Sequence, residues 1–307
     1  MKMDVLFVSS GNTKNGISPI VFNQGNSLIK LGHDVSFFTI KGKGFSGYLK
    51  HIFILRKFLK HHSYDIIHAH YSLSAIVAAL AGGKPLIVSL MGSDVKASFL
   101  LKYLIRIFNF FFWNKIIVKS LDMKTSSGIK TVNVLPNGVD FKKFRPFSKK
   151  EAFEITQWDP NKRHILFAAN PKRKVKNYQL AKSAFELLDY KDIELQSLID
   201  IPNTQMPAYF NAADVIILTS FWEGSPNVIK EAMACNCKIV AVNVGDIKET
   251  IRNTPGCFVT DFNKTDIANK IDKALQYPKK TEGRIHISHL DSEVIAPKLI
   301  SIYKETL

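Results

Sequence analysis

The chain has 307 residues, 46% of them apolar and 22% charged, a globular composition with room for one large domain or two smaller ones, and one that excludes disorder, collagen and coiled coil. Its 42 Lys and Arg against 26 Asp and Glu give a net charge of +16, and the excess sits entirely in one half. Residues 1–150 hold 22 cationic side chains, 6 Asp and no Glu, whereas residues 151–307 hold 20 charges of each sign. A basic half followed by a neutral one suggests two domains with different partners.

In chain order, short β-branched or aromatic runs alternate with helix-period segments, the pattern of parallel sheets covered by helices. Strands are expected at 5–9, 35–40, 66–69, 86–90, 115–118 and 131–135, with helices near 17–31, 48–62, 72–82, 97–113 and 120–128 between them. The segment PNGVDFKKFRPFSKK, 136–150, has turn formers and a charge run but no period, and reads as a linker. Alternation then restarts, with strands at 165–169, 194–198, 215–219, 238–242 and 257–259 and helices near 177–188, 205–212, 226–235, 246–252 and 265–276. The expectation is an α/β protein of two Rossmann-like, doubly wound domains facing a cleft, each binding ligand at the carboxyl ends of its strands. Residues 1–145 form the first domain and 146–289 the second, and a last helix about 290–307 packs back on the first.

The start, MKMDVLFVSSG, has too short an apolar run for a signal peptide, so the chain is expected in a reducing cytoplasm. The longest apolar tract, 97–118, is interrupted by Lys102, Arg106, Asn109, Asn114 and Lys115, which argues against a spanning helix. Cys235, Cys237 and Cys257 have neither disulfide-scaffold nor zinc spacing. Cys235 and Cys237 flank a helix-to-strand turn and read most simply as packing residues.

The first β-to-α turn, from Gly11 to Gly16, has the glycine spacing of a phosphate loop, but Ile17 stands where that loop needs lysine, which rejects a nucleoside triphosphatase. Gly16 remains either part of an anion-holding turn or part of a plain Rossmann-type turn. A sharper signal is FWEGSPNVIKEAMACNCKIVA, 221–241. Gly224, Ser225 and Pro226 turn the chain, Pro226 suits a first helical turn, and the N–H groups of Asn227 and Val228 are left to face an anionic or hydroxyl-rich ligand. Glu223 stands at the entrance and Glu231 about one turn deeper, so the two carboxylates can reach opposite ends of one ligand. Taken alone, both also fit helix-dipole or surface charges.

The pair Glu223 and Glu231, within EGSPNVIKEAMACN and followed by VGDIKETI, resembles the Glu-x7-Glu signature of the retaining glycosyltransferases of family 4. GHDV at 32–35, DIIHAH at 65–70, LMGSDV at 90–95, LPNGVD at 135–140 and MPAYFNAADVIILTS at 206–220 match in the expected order. The resemblance implies the two-domain GT-B fold, with the donor held mainly by the second domain and the acceptor by the first. It further implies that Glu231 meets the donor ribose hydroxyls and Glu223 the transferred sugar, roles suited to carboxylates as acceptors from vicinal hydroxyls, and Gly224, Ser225, Pro226, Asn227, Val228 and Gly16 are expected to join Glu231 in donor binding. Breaking a glycosidic bond to a nucleoside diphosphate builds negative charge on the leaving phosphate, which fixed cations stabilise. The resemblance puts Lys176 and Arg173, in NPKRKVKNYQLA, at that phosphate. Lys172 and Lys174 are rivals to Arg173, and a solvated basic turn is the plainer reading. No D-x-D occurs, so a metal-dependent design has no ligand motif.

On the acceptor side Met91 stands where the family commonly carries histidine, leaving Asp94 as an acceptor-orienting group or a helix N-cap. His68 and His70 share a strand end, where two ligands without a third point to a structural or acceptor-edge role rather than to metal. In YLKHIFILRKFLKHH, 48–62, Lys50, Arg56, Lys57 and Lys60 interleave with apolar residues, and SFLLKYLIRIFNFFFWNK, 98–115, adds Phe108, Phe110, Phe111, Phe112 and Trp113. Such stretches lie in anionic headgroups, or pack their aromatic groups on the sheet and expose only the cations.

The reading as a whole is a metal-independent, retaining glycosyltransferase with no cofactor. It moves a sugar from a nucleotide sugar to a saccharide or lipid-linked acceptor hydroxyl in envelope or surface polysaccharide synthesis, peripheral on the inner face of the cell membrane and without nucleic acid as partner. The alternatives are a GT-B-type sugar-nucleotide epimerase, a phosphorylase, and a non-catalytic binding protein on the same fold.

Overall fold

The computed structural model describes residues 2–13, 16–42, 44–92, 94 and 99–307, with 44, 45 and 99 described through their backbone alone. The chain divides into two compact units, one of Met1–Gly138 with Ser292–Leu307 and the other of Val139–Asp291.

In the first unit the strands β1 (Asp4–Ser10), β2 (Asp34–Ile40), β3 (Ile66–His70), β4 (Leu86–Ser89), β5 (Lys115–Val118) and β6 (Val132–Val134) form one sheet in the order β2-β1-β3-β4-β5-β6. Every pairing is parallel. β3 and β4 are buried along their whole length, which is why they read as continuous runs rather than alternating ones. The helices between strands are α1 (Pro19–Lys30), α2 (Gly44–Leu59), α3 (Ser72–Leu80), α4 (Phe99–Phe111) and α5 (Leu121–Ser127). α1 starts at Ser18, whose side chain accepts from Val21 N, with Pro19 in the first turn, and it buries Val21, Gly25 and Leu28 at helical spacing. α5 starts on Ser120 and ends on the left-handed Gly128.

The second unit pairs β7 (Arg163–Phe167), β8 (Ile193–Ser197), β9 (Val215–Leu218), β10 (Ile239–Val242) and β11 (Cys257–Thr260) in the order β11-β10-β9-β7-β8, again all parallel. Its helices are α6 (Lys149–Thr156), α7 (Tyr178–Phe185), α8 (Met206–Ala212), α9 (Asn227–Ala234), α10 (Ile247–Ile251), α11 (Lys264–Gln276) and α12 (Gly283–His286). The last helix, α13 (Ser292–Lys304), belongs to the first unit and carries Tyr303, whose hydroxyl lies 2.6 Å from His68 Nδ1.

The eleven expected strands are all present, with ends shifted by at most two residues. α6 was not expected. Ser148 caps it by accepting from Glu151 N at 3.2 Å, half of a capping box hidden in the charge run SKKE. The stretch read as a linker is also more ordered than its composition suggests. Asp140 accepts from Lys142 N and Lys143 N, Phe141 and Phe144 are buried, and Arg284 donates to both of their carbonyls while its guanidinium covers the Phe141 ring at 4.3 Å.

In each unit the chain leaves a central strand to one side, returns and continues to the other. The reversal falls between β1 and β3 in the first unit and between β7 and β9 in the second. Loops leaving such a pair diverge to opposite faces and open a crevice at the carboxyl ends.

Candidate active site

Lys176 follows β7 and Glu223 follows β9, so the reversal in the second unit sets them on the two loops that flank its crevice. Their side chains meet there, with Lys176 Nζ 2.5 Å from Glu223 Oε1 and both largely buried. Lys176 closes a 3-10 turn (Lys174–Lys176), which ends on Asn177 in the left-handed region at φ 52°. Thr219 Oγ1 donates to the carbonyls of Lys176 and Asn177, at 3.2 and 2.9 Å, and Phe221 N donates to Val175 O. The backbones of the two loops are thereby tied to each other before any ligand arrives.

After Glu223 the chain turns through Gly224, Ser225 and Pro226 into α9. Pro226 is extended at φ −70°, ψ 112° and stands just before the helix, one position earlier than a first helical residue; Asn227 and Val228 begin it. Glu231, one turn further in, is part-buried. Burial raises its carboxyl to about 7, against the opposing fields of the Lys143 and Lys230 ammonium groups. Lys143 comes from the former linker and hydrogen-bonds Asn203 on the loop after β8. Burial lowers its pKa, and the Glu231 and Asp140 charges raise it.

Lys230 and Asp246 went unassigned in the sequence. Lys230 Nζ donates to Ser225 Oγ and lies 3.9 Å from Asp246 Oδ2, and Ser225 Oγ donates to the same oxygen at 2.5 Å. The signal was present in EGSPNVIKEA and VGDIKETI, but a lysine inside an apolar helical run reads as a solvated residue unless its partner is known. Arg173 and Lys172 just before the 3-10 turn, and Lys174 at its start, are exposed and outside the Lys176–Glu223 contact.

The remaining candidates belong to the first unit. His70 ends β3, and its buried Nε2 has no hydrogen-bond partner among the described residues. Burial, with Lys119 nearby, lowers the pKa of His70 well below the usual imidazole value, so it is neutral. Tyr71 follows at φ 80°, an uncommon conformation for a tyrosine, between His70 and the start of α3. Asp94 commits both oxygens to the chain. Oδ1 accepts from Ser72 N and Ser72 Oγ at 2.9 and 2.6 Å, and Oδ2 from Met91 N at 2.6 Å, so it ties the start of α3 to the turn after β4. Its possible cap on a helix near residue 95 concerns positions outside the described residues. Gly16, at φ 76°, closes a turn on Thr13 O at 3.0 Å; residues 14 and 15 of that turn lie outside the described residues. Cys235 and Cys237 are buried, and burial pushes the Cys235 thiol up to about 12, in keeping with packing rather than reactivity.

Two doubly wound parallel-sheet units in one chain are the architecture of the GT-B class, and the second carries a cation and a carboxylate at its chain reversal. The family model for Glycosyl transferases group 1 matches residues 194–286, and that for Glycosyl transferase 4-like matches residues 12–120. The two matches, one in each unit, indicate a glycosyltransferase of the group 1, family 4 type. It is 26% identical over 195 residues to the D-inositol 3-phosphate glycosyltransferase of Paenarthrobacter aurescens, a match covering 52% of this chain and 48% of that one. It is also 26% identical over 267 residues to the UDP-Gal:alpha-D-GlcNAc-diphosphoundecaprenol alpha-1,3-galactosyltransferase of Escherichia coli, covering 71% of this chain and 68% of the relative. The chain thus spans about half the length of the first of these relatives. Among solved structures, the sucrose-phosphate synthase of Thermosynechococcus elongatus superposes with a TM-score of 0.82 at 16% identity over 98% of each chain. Anabaena HepE, in complex with UDP and glucose, gives 0.78 at 16% identity over 99% of this chain and 100% of the other. At that identity these two show the fold.

Proposed function

We propose that this protein transfers a sugar, with retention and without a metal, from a uridine diphosphate sugar to a hydroxyl of a saccharide or lipid-linked acceptor in envelope or surface polysaccharide synthesis. The observation that carries the reading is the Lys176–Glu223 pair at the chain reversal of the second unit. In the proposed step the bond from the anomeric carbon to the diphosphate oxygen breaks while the acceptor oxygen bonds that carbon on the same face. The acceptor proton passes to the departing phosphate. Lys176 holds the phosphate oxygens as charge develops there, the task a divalent cation has in other designs, and Glu223 accepts from the hydroxyls of the sugar. Glu231 takes the ribose hydroxyls. Arg173, or Lys172 or Lys174 in its place, adds a second cation at the diphosphate. In the first unit His70 borders the acceptor, and Asp94, whose oxygens are taken by Ser72 and Met91, holds the backbone beside it. The uridine and the lipid-linked acceptor are suggested by the printed names of the E. coli relative and of Anabaena HepE.

Attachment to an anionic membrane face is part of the same proposal. On α2, Phe53 is 71% exposed, with Leu49 and Ile54 also exposed among the exposed Lys50, Arg56, Lys57 and Lys60. On α4, Phe110 is 80% exposed and Phe111 stands beside it, while Ile105, and Trp113 just past the helix, are buried. Aromatic side chains on that helix therefore do more than cover the sheet. Among the described residues no helix is long and apolar enough to cross a membrane.

The deciding experiment incubates the protein with UDP-glucose, UDP-galactose and UDP-N-acetylglucosamine in EDTA, following UDP release and the anomeric proton signals. UDP with an α-configured product supports the proposal. A β-configured product ends retention, a free epimer supports the epimerase, and no UDP from any donor removes the reading.

A further inference from the structure

Beneath the turn at 223–226 lies a polar network that the transfer step does not itself use. Lys230 is on α9, five residues beyond Ser225, and its side chain is 1% exposed on a face that otherwise buries Ile229, Met233 and Ala234. It reaches back to Ser225 Oγ, and Ser225 passes its proton toward Asp246 Oδ2, on the turn between β10 and α10. An ammonium only donates and a carboxylate only accepts, so the direction is fixed as Lys230 to Ser225 to Asp246. The main chain makes a second link between the same two turns. Gly245, at φ +62°, lies so close to the first turn that a Cβ on it would stand 2.7 Å from Gly224 O and 2.9 Å from Glu223 O.

A buried ammonium and carboxylate are seldom better for stability than aliphatic side chains of the same shape, because desolvation offsets their attraction. Asp246 illustrates the cost: one oxygen takes both contacts, and Oδ1 is buried with no partner among the described residues. What such a pair does supply is direction, since hydrogen bonds hold a turn at fixed angles where aliphatic packing lets it slide.

We propose that Lys230 and Asp246 are positioning residues which, through the Ser225 hydroxyl, clamp the 223–226 turn and so set where the Glu223 carboxylate stands against the transferred sugar. The proposal rests on the reading of Glu223 as the sugar-facing group. Glu223 is then held from two sides, its carboxylate by Lys176 and its backbone by the clamp. Lys176 alone cannot fix it, because a flexible ammonium follows a carboxylate that drifts. Small displacements of a reacting-centre group cost turnover far more than they cost binding of the nucleotide end.

The test uses the whole protein and three variants: S225A, which removes only the shared hydroxyl; D246N, which keeps an acceptor for Ser225 but loses the charge; and K230M, which keeps the volume. Hydrogen exchange is expected to quicken at least tenfold in the peptide covering 223–228 while protection of β9 and β10 is unchanged. UDP release is expected to lose at least 30-fold in kcat, with UDP affinity by calorimetry kept within threefold. If K230M does not fold, S225A and D246N carry the same comparison. Unchanged exchange at 223–228 in S225A overturns the clamp whatever the activity. UDP affinity falling as far as kcat also overturns it, by assigning the network to the nucleotide. Wild-type protein that releases no UDP while exchange responds as expected sinks the functional reading and leaves the clamp standing.

Discussion

Lys176 Nζ and Glu223 Oε1, 47 residues apart in the chain, lie 2.5 Å apart on loops leaving the adjacent strands β7 and β9. If Lys176 holds the leaving diphosphate as proposed, that diphosphate must compete with Glu223 for the ammonium. Replacing Glu223 with Gln is therefore expected to lower kcat about 100-fold while UDP affinity is retained or improved, because the cation is no longer neutralised. Lys176→Ala removes the cation itself and is expected to cost about 2 to 4 kcal/mol in transition-state stabilisation together with a loss of UDP affinity. Arg173→Ala is expected to lose at least tenfold in kcat/KM; if the loss stays under threefold, the second phosphate cation is Lys172 or Lys174.

Glu231 titrates near neutrality, since burial raises its carboxyl to about 7. The proton is held more tightly in the folded chain than in the unfolded one. The resulting stability is fully present below the unfolded pKa, near the ordinary 4.5, and is lost as pH rises through about 7. Glu231→Gln should accordingly be more stable than wild type at pH 8, on the order of 1 to 3 kcal/mol, and closer to it at pH 5. UDP affinity of the wild type should change between pH 6 and 8 beyond the titration of UDP itself, and Glu231→Gln should show only the latter. Parallel melting curves and calorimetry at three pH values check both, and superimposable pH profiles would rule out a ribose-facing carboxylate with this pKa.

Gly245→Ala tests the close approach of the two turns. The substitution puts a Cβ at φ +62° and 2.7 Å from a backbone oxygen, where no side-chain rotation gives relief. Positive-φ strain and a displaced turn together are expected to cost roughly 2 to 4 kcal/mol in urea unfolding. The kcat of the folded fraction should drop as well, since the backbone displaced is that of Glu223 and Gly224. A variant as stable and active as wild type would mean the turn yields freely.

Membrane attachment is decided by liposome flotation. Each exposed cation near an anionic surface is worth about 1 kcal/mol, so Lys50, Arg56, Lys57 and Lys60 together predict strong retention at low salt. Binding should require phosphatidylglycerol, weaken with added salt, and drop when Arg56, Lys57 and Lys60 become Gln. Phe53→Ser and Phe110→Ser should each weaken it further, because burying those rings in the headgroup region adds an apolar contribution. Equal flotation with neutral vesicles, or none with anionic ones, would contradict attachment through these charges.

Most of the eleven strands could be read from the chain because buried parallel strands such as β1, β3, β4, β9 and β10 are short runs dense in apolar and β-branched residues between turn formers. The positions of Glu223 and Lys176 follow from local turn pattern after a strand and that of Glu231 from its place inside the helix that follows, whereas the roles given to them came from the family resemblance. α6 was hidden because its capping serine lies inside a charge run, and residues 136–150 read as a linker because Arg284, which anchors Phe141 and Phe144, is 140 residues from Phe144. Lys230 carried no assignment in the sequence, and only the packing of α9 buries it against Ser225 and Asp246. Asp94 looked available for an acceptor, whereas the fold brings it Ser72 and Met91 as donors. By itself the sequence determined the alternation of elements, the division of charge and the residues at the strand ends, because these follow from local periodicity and turn chemistry. Tertiary structure alone decided which charges are paired, buried or exposed, because hydrogen bonds and desolvation depend on neighbours that the chain supplies from far away.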